Sequence, residues 1–269
     1  MSTVLNPPSP LRKWVRAHPT VKSLLRLPSR LASPFRRGTF FNTVLRYPEF
    51  LSDLAEFRRM GGMAPTLRLY PFLHERTASH GVDPHYFYQA FWAARKIFAQ
   101  HPDVHYDVGS QANYVGMVAA AIPVRFVDLR PFGVDMPELQ DDRGTVLDLP
   151  YETGSIRSLS CLHVIEHIGL GRYGDPIDPD GPAKAAAELT RVLGQGGNLY
   201  VSVPVGRSAV EFNAHRVLDA VEFARSFAPL SLVEFSMVDD DGRFRVDVPM
   251  SAASDQNFAC GFFHFRRES

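Results

Sequence analysis

The stretch ELTRVLGQGGNLYVSVP, residues 188–204, decides the fold class of this 269-residue chain. Its first half completes the amphipathic pattern of a helix that we predict over residues 182–193. The glycine-rich GQGG sequence then ends the helix and turns the chain. Residues 198–203 are rich in the β-branched and aromatic side chains that favour strands. A helix, a tight turn and a strand in this order are typical of a parallel α/β sheet.

Strand and helix patterns alternate in both directions from that unit. They predict a parallel sheet with helices on both faces, and the last two strands are expected to form a hairpin at the sheet edge. Apolar residues at helical spacing predict further helices within residues 41–60 and over 83–100, where Asp83 and Pro84 suit a helix start. The remaining predicted strands are 104–108, 124–129, 145–147, 158–162, 230–238 and 258–265, and the remaining helices are 113–121 and 219–227.

Charge and composition divide the chain into three parts. Residues 1–46 contain nine basic residues and no acidic one, although the whole chain carries no net charge. This proline-interrupted basic arm is either a solvated arm packed on the domain or a segment that lies on anionic lipid or an acidic protein partner. Residues 47–100 are predicted to be a helical segment, and residues 101–269 are predicted to form a Rossmann-like α/β domain.

The composition excludes several classes of protein. No apolar run reaches the roughly 18 residues of a membrane span, and no signal-peptide pattern is present. We therefore expect a cytoplasmic protein, peripheral to the membrane if the basic arm binds lipid. Neither a nucleic-acid-binding module nor a basic platform with aromatic residues is recognised, so no nucleic-acid partner is expected. Cys161 and Cys260 lie in separate apolar strands, which predicts buried free thiols.

Acidic residues stand at the ends of the first three predicted strands. Asp107 precedes Gly109 at a strand-to-helix turn, an arrangement typical of nucleotide-binding turns. Asp128 follows the next strand 21 residues later, the spacing at which a carboxylate meets the hydroxyls of a ribose. Asp148, after the third strand, could accept a hydrogen bond from the amine of adenine. The predicted cofactor site also includes the neighbouring residues Ser110, Leu129 and Leu149 and, after the fourth strand, His163.

The motifs over residues 107–204 resemble those of class I S-adenosylmethionine (SAM) dependent methyltransferases. The resemblance is most specific in SCLHVIEH, residues 160–167, and in the stretch at 188–204. The chain is more closely similar to a family known as domain of unknown function 268, over residues 84–248. The motifs shared with that family are HYFYQ (85–89), WAARKI (92–97), HYDVGS (105–110), LHVIEHIGLGRYGDPIDP (162–179) and SVPVGRSAVEFNAHRV (202–217).

The resemblance implies a class I methyltransferase sheet with SAM as the cofactor. It also implies an association with the production of bacterial surface polysaccharides. Carried over residue by residue, the SAM loop corresponds to Asp107 and Gly109, the ribose carboxylate to Asp128, and the adenine position to Asp148.

The glycine loop departs from the methyltransferase pattern. That pattern reads D-x-G-x-G-x-G, whereas Gln111 and Asn113 occupy the second and third glycine positions here. Side chains at these positions narrow the approach of the backbone to the methionine part of SAM. Asparagine, however, tolerates left-handed backbone better than most residues.

Two loops after the fourth and fifth strands hold more polar groups than a connection requires. Because those strands should be neighbours, we expect residues 169–181 and 207–216 to face each other across an acceptor site. The first loop superficially suggests a calcium site, but Pro176 stands at the first ligand position of an EF-hand. The alternative is a rigid loop that Asp180 caps. The predicted substrate-binding residues are Arg172, Tyr173, Asp175, Arg207, Asn213 and Arg216.

A histidine at this edge of the sheet could take a proton from an acceptor hydroxyl, because its unperturbed pKa of about 6.5 lies near neutral pH. His215 is the first candidate, followed by Glu166 or His167. The alternative is that residues 207–216 merely hold their loop by hydrogen bonds. His163, Glu166 and His167 also match the His-x-x-Glu-His signature of inverzincin metalloproteases. That motif needs a long helix, whereas this one directly follows a strand, so no metal site is predicted.

The sequence therefore predicts a SAM-dependent methyltransferase that acts on a hydroxyl of a sugar or surface-glycan precursor. The alternative is a non-catalytic module with the SAM-binding fold that binds a ligand or a partner in a polysaccharide-assembly complex. The altered glycine loop favours this alternative. A third hypothesis, an NAD-linked enzyme, is opposed by the RVLGQGG and HVIEH motifs.

Overall fold

The computed structural model describes residues 40–62, 68–78 and 80–268. The chain divides into two compact units, Met1–Gly81 and Val82–Ser269. Most of the predicted basic arm, residues 1–39, lies outside the described residues, so both interpretations of the arm stay predictions.

The first unit contains helix α1 (Phe40–Arg59), and the predicted boundary after residue 46 falls inside this helix. Two hydrogen bonds tie the helix to the chain that follows it. The Arg46 guanidinium donates to the Leu73 carbonyl at 2.9 Å, and Thr43 Oγ1 lies 3.1 Å from His74 Nε2. The second unit contains every other helix and strand named below.

Eight strands of the second unit form one sheet in the order β3-β2-β1-β4-β5-β10-β8-β9. The first five strands along this order are mutually parallel, and β10 is antiparallel to both of its neighbours, β5 and β8. The predicted α/β, Rossmann-like fold class and the antiparallel pairing of the last two long strands are thus confirmed. The strands are β1 (His105–Val108), β2 (Val124–Asp128), β3 (Leu139–Arg143), β4 (Ile156–Leu162), β5 (Leu193–Val205), β8 (Ser231–Val238), β9 (Phe244–Arg245) and β10 (Ala259–Arg266), with β6 (Ala209–Glu211) and β7 (His215–Val217) in a separate hairpin.

Two of the four α-helices described in this unit start at an aspartate that caps them, whereas the Asp180 side chain, before Gly181–Val192, makes no capping hydrogen bond. The Asp83 carboxylate accepts hydrogen bonds from the backbone N–H groups of His85 and Tyr86, as the motif before Pro84 predicts. Asp219 caps the last helix in the same way. None of the helices in the described parts of the chain is long and apolar enough to span a membrane. The helices are α2 (Pro84–Gln100), α3 (Ala112–Ala119), α4 (Gly181–Val192) and α5 (Ala220–Arg225).

Alternate residues of the central strands enter two different apolar clusters. Phe262 packs with α2 and α3 residues such as Trp92 and Val115, whereas the next residue, Phe263, packs with α4 and α5 residues such as Leu189. Because successive side chains of a strand point to opposite faces, the sheet is covered on both faces. Because both faces are covered, residues are buried almost without interruption along β4, β5 and β10.

One predicted strand is misplaced. The third strand is Leu139–Arg143, not residues 145–147, and it pairs only with β2 at the edge of the sheet. Its sequence LQDDR is polar because only Leu139 is buried, and charged side chains protect an edge from further pairing. Residues 145–148 instead form a tight turn in which the Asp148 N–H donates to the Thr145 carbonyl.

Candidate active site

Two adjoining cavities lie at the carboxyl ends of the parallel strands. The strand order reverses between β1 and β4, which is the switch point where open α/β sheets bind ligands. The first is an open cleft of about 550 Å³, solvent-filled space included, and is lined by Gly109, Asp128 and Val146, among others. The second is an open cleft of about 920 Å³, counted in the same way, and extends toward α2 and β7. The residues that line both cavities are Gly109, His163, His167 and Tyr173.

Asp107 shapes the turn after β1 and lines neither cavity. Its buried carboxylate accepts hydrogen bonds from the Ser110 N–H at 3.0 Å, from the Ser110 hydroxyl at 2.7 Å and from the Ser160 hydroxyl. Burial, only partly offset by these hydrogen bonds, raises the pKa of Asp107 to about 6. Asp107 and Ser110 were both predicted to bind the cofactor. The structure instead uses them to hold the turn that presents Gly109.

Gly109 leaves space that a nucleoside would need. It adopts left-handed backbone with φ +70°, and a Cβ atom there would lie 3.1 Å from Val164 and 3.3 Å from Asp128 Oδ2. Asp128 and Leu129 line the first cavity, as predicted. Asp128 Oδ1 accepts the Arg130 N–H at 2.6 Å. A carboxylate has about four acceptor positions, so Asp128 keeps capacity for ribose hydroxyls.

The two residues that replace glycines of the methyltransferase pattern, Gln111 and Asn113, do not line the first cavity. Gln111 has ordinary backbone with φ −65°, and it lines the second cavity. Asn113 is exposed within α3. Neither position needs the left-handed backbone that favours glycine. The residues around Gly109 and Asp128 therefore fit the nucleoside part of SAM.

Asp148 does not take the position predicted for it. Its side chain is exposed, and the first cavity is lined at this point by Gly144, Thr145 and Val146. Leu149, the other predicted residue of this stretch, is buried in the core, and its N–H donates to Glu188 Oε1 at 2.7 Å. The correction follows from the misplaced third strand, because a tight turn now stands where a strand end was expected.

His163 follows β4 in left-handed backbone, with φ +56°. Its Nδ1 lies 2.6 Å from Glu166 Oε1, and its Nε2 lies 3.2 Å from Cys260 Sγ. The Glu166 side chain is fully buried, and its Oε2 has no hydrogen-bond partner among the described residues. Glu166 therefore positions His163 and is too enclosed to act as the predicted base toward an acceptor.

His167 is oriented by the backbone of the facing hairpin. Its Nδ1 lies 2.7 Å from the Ala214 carbonyl oxygen and 3.2 Å from an Arg172 guanidinium nitrogen. Because the nearer partner, the carbonyl, can only accept, we assign the proton to Nδ1 and the lone pair to Nε2. Burial lowers the pKa of His167, so the ring is neutral near pH 7. His167 lines both cavities. Its geometry suits a general base.

His215, at the start of β7, lines the second cavity together with His167. Its ring packs on Phe258, with the ring centroids 4.9 Å apart. Its Nε2 is buried without a hydrogen-bond partner in the described part of the chain, and Glu211 lies 3.7 Å away. His215 thus lies in the expected cavity, but its free nitrogen is enclosed.

The two polar loops contact each other through hydrogen bonds within the protein. Arg216 is buried, and its guanidinium donates to the Ile168 carbonyl at 2.6 Å. Asp175 accepts from the N–H groups of Gly169 and Tyr173 at 2.7 and 3.2 Å. Arg216 and Asp175 are therefore hydrogen-bonded within the protein, and substrate binding by these residues stays a prediction. Two further predicted substrate residues are exposed and line neither cavity: Arg207 and Asn213.

Tyr173 stands between two cationic side chains where the cavities meet. The guanidinium carbon of Arg130 lies 4.4 Å from the centre of the Tyr173 ring, and that of Arg172 lies 5.2 Å from it. Arg172 also donates to the Ala214 carbonyl at 2.8 Å. Arg172 and Tyr173 thus lie where the sequence predicts them, and Arg130 joins them without having been predicted.

Other residues at the second cavity were not predicted from the sequence. His85, Tyr86 and Phe258 line it, and the rings of His85 and Tyr86 both pack on His163. The HYFYQ motif is the signal that could have marked the first two. Cys260 is a buried free thiol as predicted, yet it contacts His163 rather than only apolar neighbours.

Comparison with known proteins finds similar solved structures and one matching family model. No curated protein is similar in sequence to the chain. Solved structures similar to the chain include a geranyl diphosphate methyltransferase in complex with SAM (14% identity, 67% of this chain and 84% of that chain covered, TM-score 0.49). Another is the N-methyltransferase NodS from Bradyrhizobium japonicum with S-adenosylhomocysteine (13% identity, 68% and 87% covered, TM-score 0.45).

The family model that matches is described as Caenorhabditis protein of unknown function, DUF268, and it matches residues 153–257. This stretch runs from three residues before β4 to two residues before β10 and includes both polar loops. The predicted resemblance is confirmed over this shorter range. Residues 153–257 are therefore similar to the DUF268 family and form part of the eight-stranded α/β sheet.

Proposed function

We propose that the chain binds SAM in the first cavity and methylates a hydroxyl of a sugar or surface-glycan precursor in the second. The proposal depends on one observation, the wall of Gly109, His163, His167 and Tyr173 that the two cavities share. Methyl transfer is an in-line displacement, so donor and acceptor must meet at one boundary in a fixed orientation. Adjoining cavities on a rigid sheet edge support that requirement.

The first cavity has groups suited to each part of a nucleoside. Asp128 accepts hydrogen bonds from ribose hydroxyls, and Gly109 lets the backbone approach closely. Thr145 and Val146 offer a wall for the base. Bound SAM supplies an electrophilic methyl group, and the protein supplies orientation and a base.

His167 is the base that the geometry favours. With Nδ1 donating to Ala214, its Nε2 can accept a proton from a hydroxyl, and its lowered pKa keeps that lone pair free at neutral pH. His215 becomes the second candidate, because its own Nε2 is buried. The fixed tautomer means that His167 need not reorganise during the reaction.

The acceptor is proposed to carry an anionic group. Arg172 lines the second cavity, Arg130 lines the first, and both lie near the ring of Tyr173, which lines both; guanidinium groups bind phosphate or carboxylate well. A phosphorylated sugar or a nucleotide sugar has this chemistry. The link to surface polysaccharides comes from the resemblance to the family.

Calorimetric titration of the purified chain with SAM, S-adenosylhomocysteine and NAD tests the cofactor. We expect the two SAM-type nucleosides to bind and NAD not to bind. Asp128→Ala should weaken binding by about 1.5–3 kcal/mol, the range for a hydrogen bond to a charged group. Asp148→Ala is the matched control and should leave affinity unchanged, because Asp148 is exposed outside the cavity. Absence of binding by either nucleoside at millimolar concentration would rule out the cofactor.

A second candidate function is a non-catalytic binding module in a polysaccharide-assembly complex. The observation that favours it is Gln111, whose side chain lines the second cavity where an acceptor would lie. A module of this kind would bind S-adenosylhomocysteine yet transfer no methyl group to any nucleotide sugar.

A further inference from the structure

A compact cluster of metal-ligating side chains lies beside the second cavity, and one of its members, His163, also belongs to the wall that the two cavities share. His85 comes from α2, His163 follows β4, and Cys260 belongs to β10. Each offers one ligand atom, and these atoms all lie within 4.8 Å of one another. Three segments far apart in the sequence therefore converge on one point.

We propose that His85, His163 and Cys260 bind a transition-metal ion of the zinc type. Two imidazoles and a thiolate are ligands that Zn²⁺ prefers, and bonds of about 2.0–2.3 Å in a tetrahedron separate ligand atoms by about 3.5 Å. The observed 3.2 Å between His163 Nε2 and Cys260 Sγ is close to that separation. The His85 ring is stacked on the His163 ring, with centroids 5.7 Å apart, and it is only partly buried, so the proposal requires this ring to reorient when the ion binds.

Glu166 completes the arrangement around His163. Metal-binding histidines usually donate their second ring N–H to a carboxylate, which fixes the tautomer and orients the ring. His163 Nδ1 lies 2.6 Å from Glu166 Oε1, which leaves Nε2 free to face Cys260. This carboxylate–histidine pair thus points the correct nitrogen at the cluster.

The charge around Glu166 also calls for a cation. The carboxylate is fully buried, and in the described part of the chain only His163 and His167 lie within ion-pair distance of it. Its Oε2 has no hydrogen-bond partner among the same residues. A buried carboxylate is costly without compensation. A divalent ion bound to His163 would balance the charges of Glu166 and a Cys260 thiolate.

A metal explains the cluster better than a catalytic cysteine does. Cys260, His163 and Glu166 also have the order of a nucleophile, base and orienting acid. Cys260 is fully buried, however, and a nucleophile must reach its substrate, whereas a metal ligand need not. A catalytic cysteine would also not explain why His85 lies close to His163 and Cys260. Because His85 and His163 line the second cavity, a fourth ligand such as water could reach the ion from there.

Titration of the chelator-treated, full-length protein with Co²⁺ alone tests the site without SAM or an acceptor. We expect one equivalent to produce thiolate-to-cobalt charge-transfer absorption in the near ultraviolet, and Zn²⁺ to displace it. Cys260→Ala should abolish the absorption. Cys161→Ala is the matched control, because Cys161 is equally buried but lies in the core, and it should retain the absorption. Glu166→Gln should lower metal affinity by about 10- to 100-fold.

His85→Ala keeps the test decisive if Cys260→Ala does not fold, since His85 is partly exposed at a helix start. This variant should bind Co²⁺ at least about tenfold more weakly, as expected on loss of a ligand. Three results would each overturn the proposal: no charge-transfer absorption in the wild type, absorption that survives Cys260→Ala, or unchanged affinity in a folded His85→Ala. Circular dichroism melts of every variant establish which ones fold.

Discussion

The turns after β1 and β4 both bury polar side chains, but they differ in how completely those side chains are hydrogen-bonded. After β1, the Asp107 carboxylate has partners from Ser110 and Ser160. After β4, Glu166 Oε2 lacks a partner among the described residues, and the same holds for the nearby His215 Nε2. Buried polar groups are normally paired. The first turn is therefore a scaffold, and the second is where we expect a ligand.

Replacement of the proposed base, His167, should produce the largest effect on activity. It tests whether the region after β4 is the functional one of the two turns. His167→Ala should reduce transfer of labelled methyl groups from SAM to nucleotide sugars by about 10²- to 10⁴-fold, the usual contribution of a general base. SAM affinity should not change, because His167 acts on the acceptor proton. His215→Ala is the control and should reduce transfer less. A larger loss in His215→Ala would reverse the assignment of the base.

Asp107, in the turn after β1, should make the stability of the protein depend on pH. The pKa of Asp107 rises from 3.8 to about 6 on folding, so its contribution is fully present below about pH 4 and is lost as the pH rises to 6. This loss amounts to about 3 kcal/mol at most. Asp107→Asn removes the titrating carboxyl group and therefore this pH-dependent contribution to stability. The difference in unfolding free energy between wild type and variant should therefore shift in favour of the variant over that range.

Urea denaturation at a series of pH values measures this difference. The other titrating groups, such as the buried His105, are present in both proteins and largely cancel. A difference that stays constant from pH 4 to 7 would mean that Asp107 is not perturbed by burial.

The hydrogen bonds between the two polar loops should contribute to stability rather than to substrate binding. Arg216→Ala leaves the Ile168 carbonyl without its donor and should lower the unfolding free energy by about 1–3 kcal/mol. Arg207→Ala, on the exposed part of the same loop, should change it by less than about 0.5 kcal/mol. Equal effects in chemical denaturation would contradict the structural role of Arg216.

The smallest expected effect concerns the altered glycine loop. Gln111→Gly restores the methyltransferase pattern, yet SAM affinity in calorimetry should change by less than about 0.5 kcal/mol, because Gln111 lies outside the first cavity. A tenfold gain in affinity would show instead that this side chain obstructs the cofactor.

Much of the cofactor side could be predicted because strand ends and spacing are local features. Gly109, Asp128 and Leu129 line the first cavity as the motif spacing indicates. The predicted position of Asp148 was wrong, and the reason is also local. The polar edge strand β3 lacks the apolar run by which strands are recognised, so the third strand end was placed too late.

The residues that line the proposed acceptor cavity were harder to predict, because the sequence does not distinguish a loop side chain that lines a cavity from one that is buried in the protein. Arg172 and Arg216 both stand in polar loops, but Arg172 lines the second cavity, whereas Arg216 is buried against backbone carbonyls. Sequence spacing does not reveal which way a loop side chain points. That direction depends on the facing loop, which comes from another part of the chain.

The sequence by itself determined the order of strands and helices, the fold class and the family resemblance, because periodicity, caps and glycine turns act over a few residues. Only the tertiary structure brought His85, His163 and Cys260 together, since they come from segments separated by up to 175 positions in the chain. It also decided which polar groups are paired within the protein and which remain for a ligand. Hydrogen bonding of buried groups depends on packing between distant segments, and no local pattern encodes it.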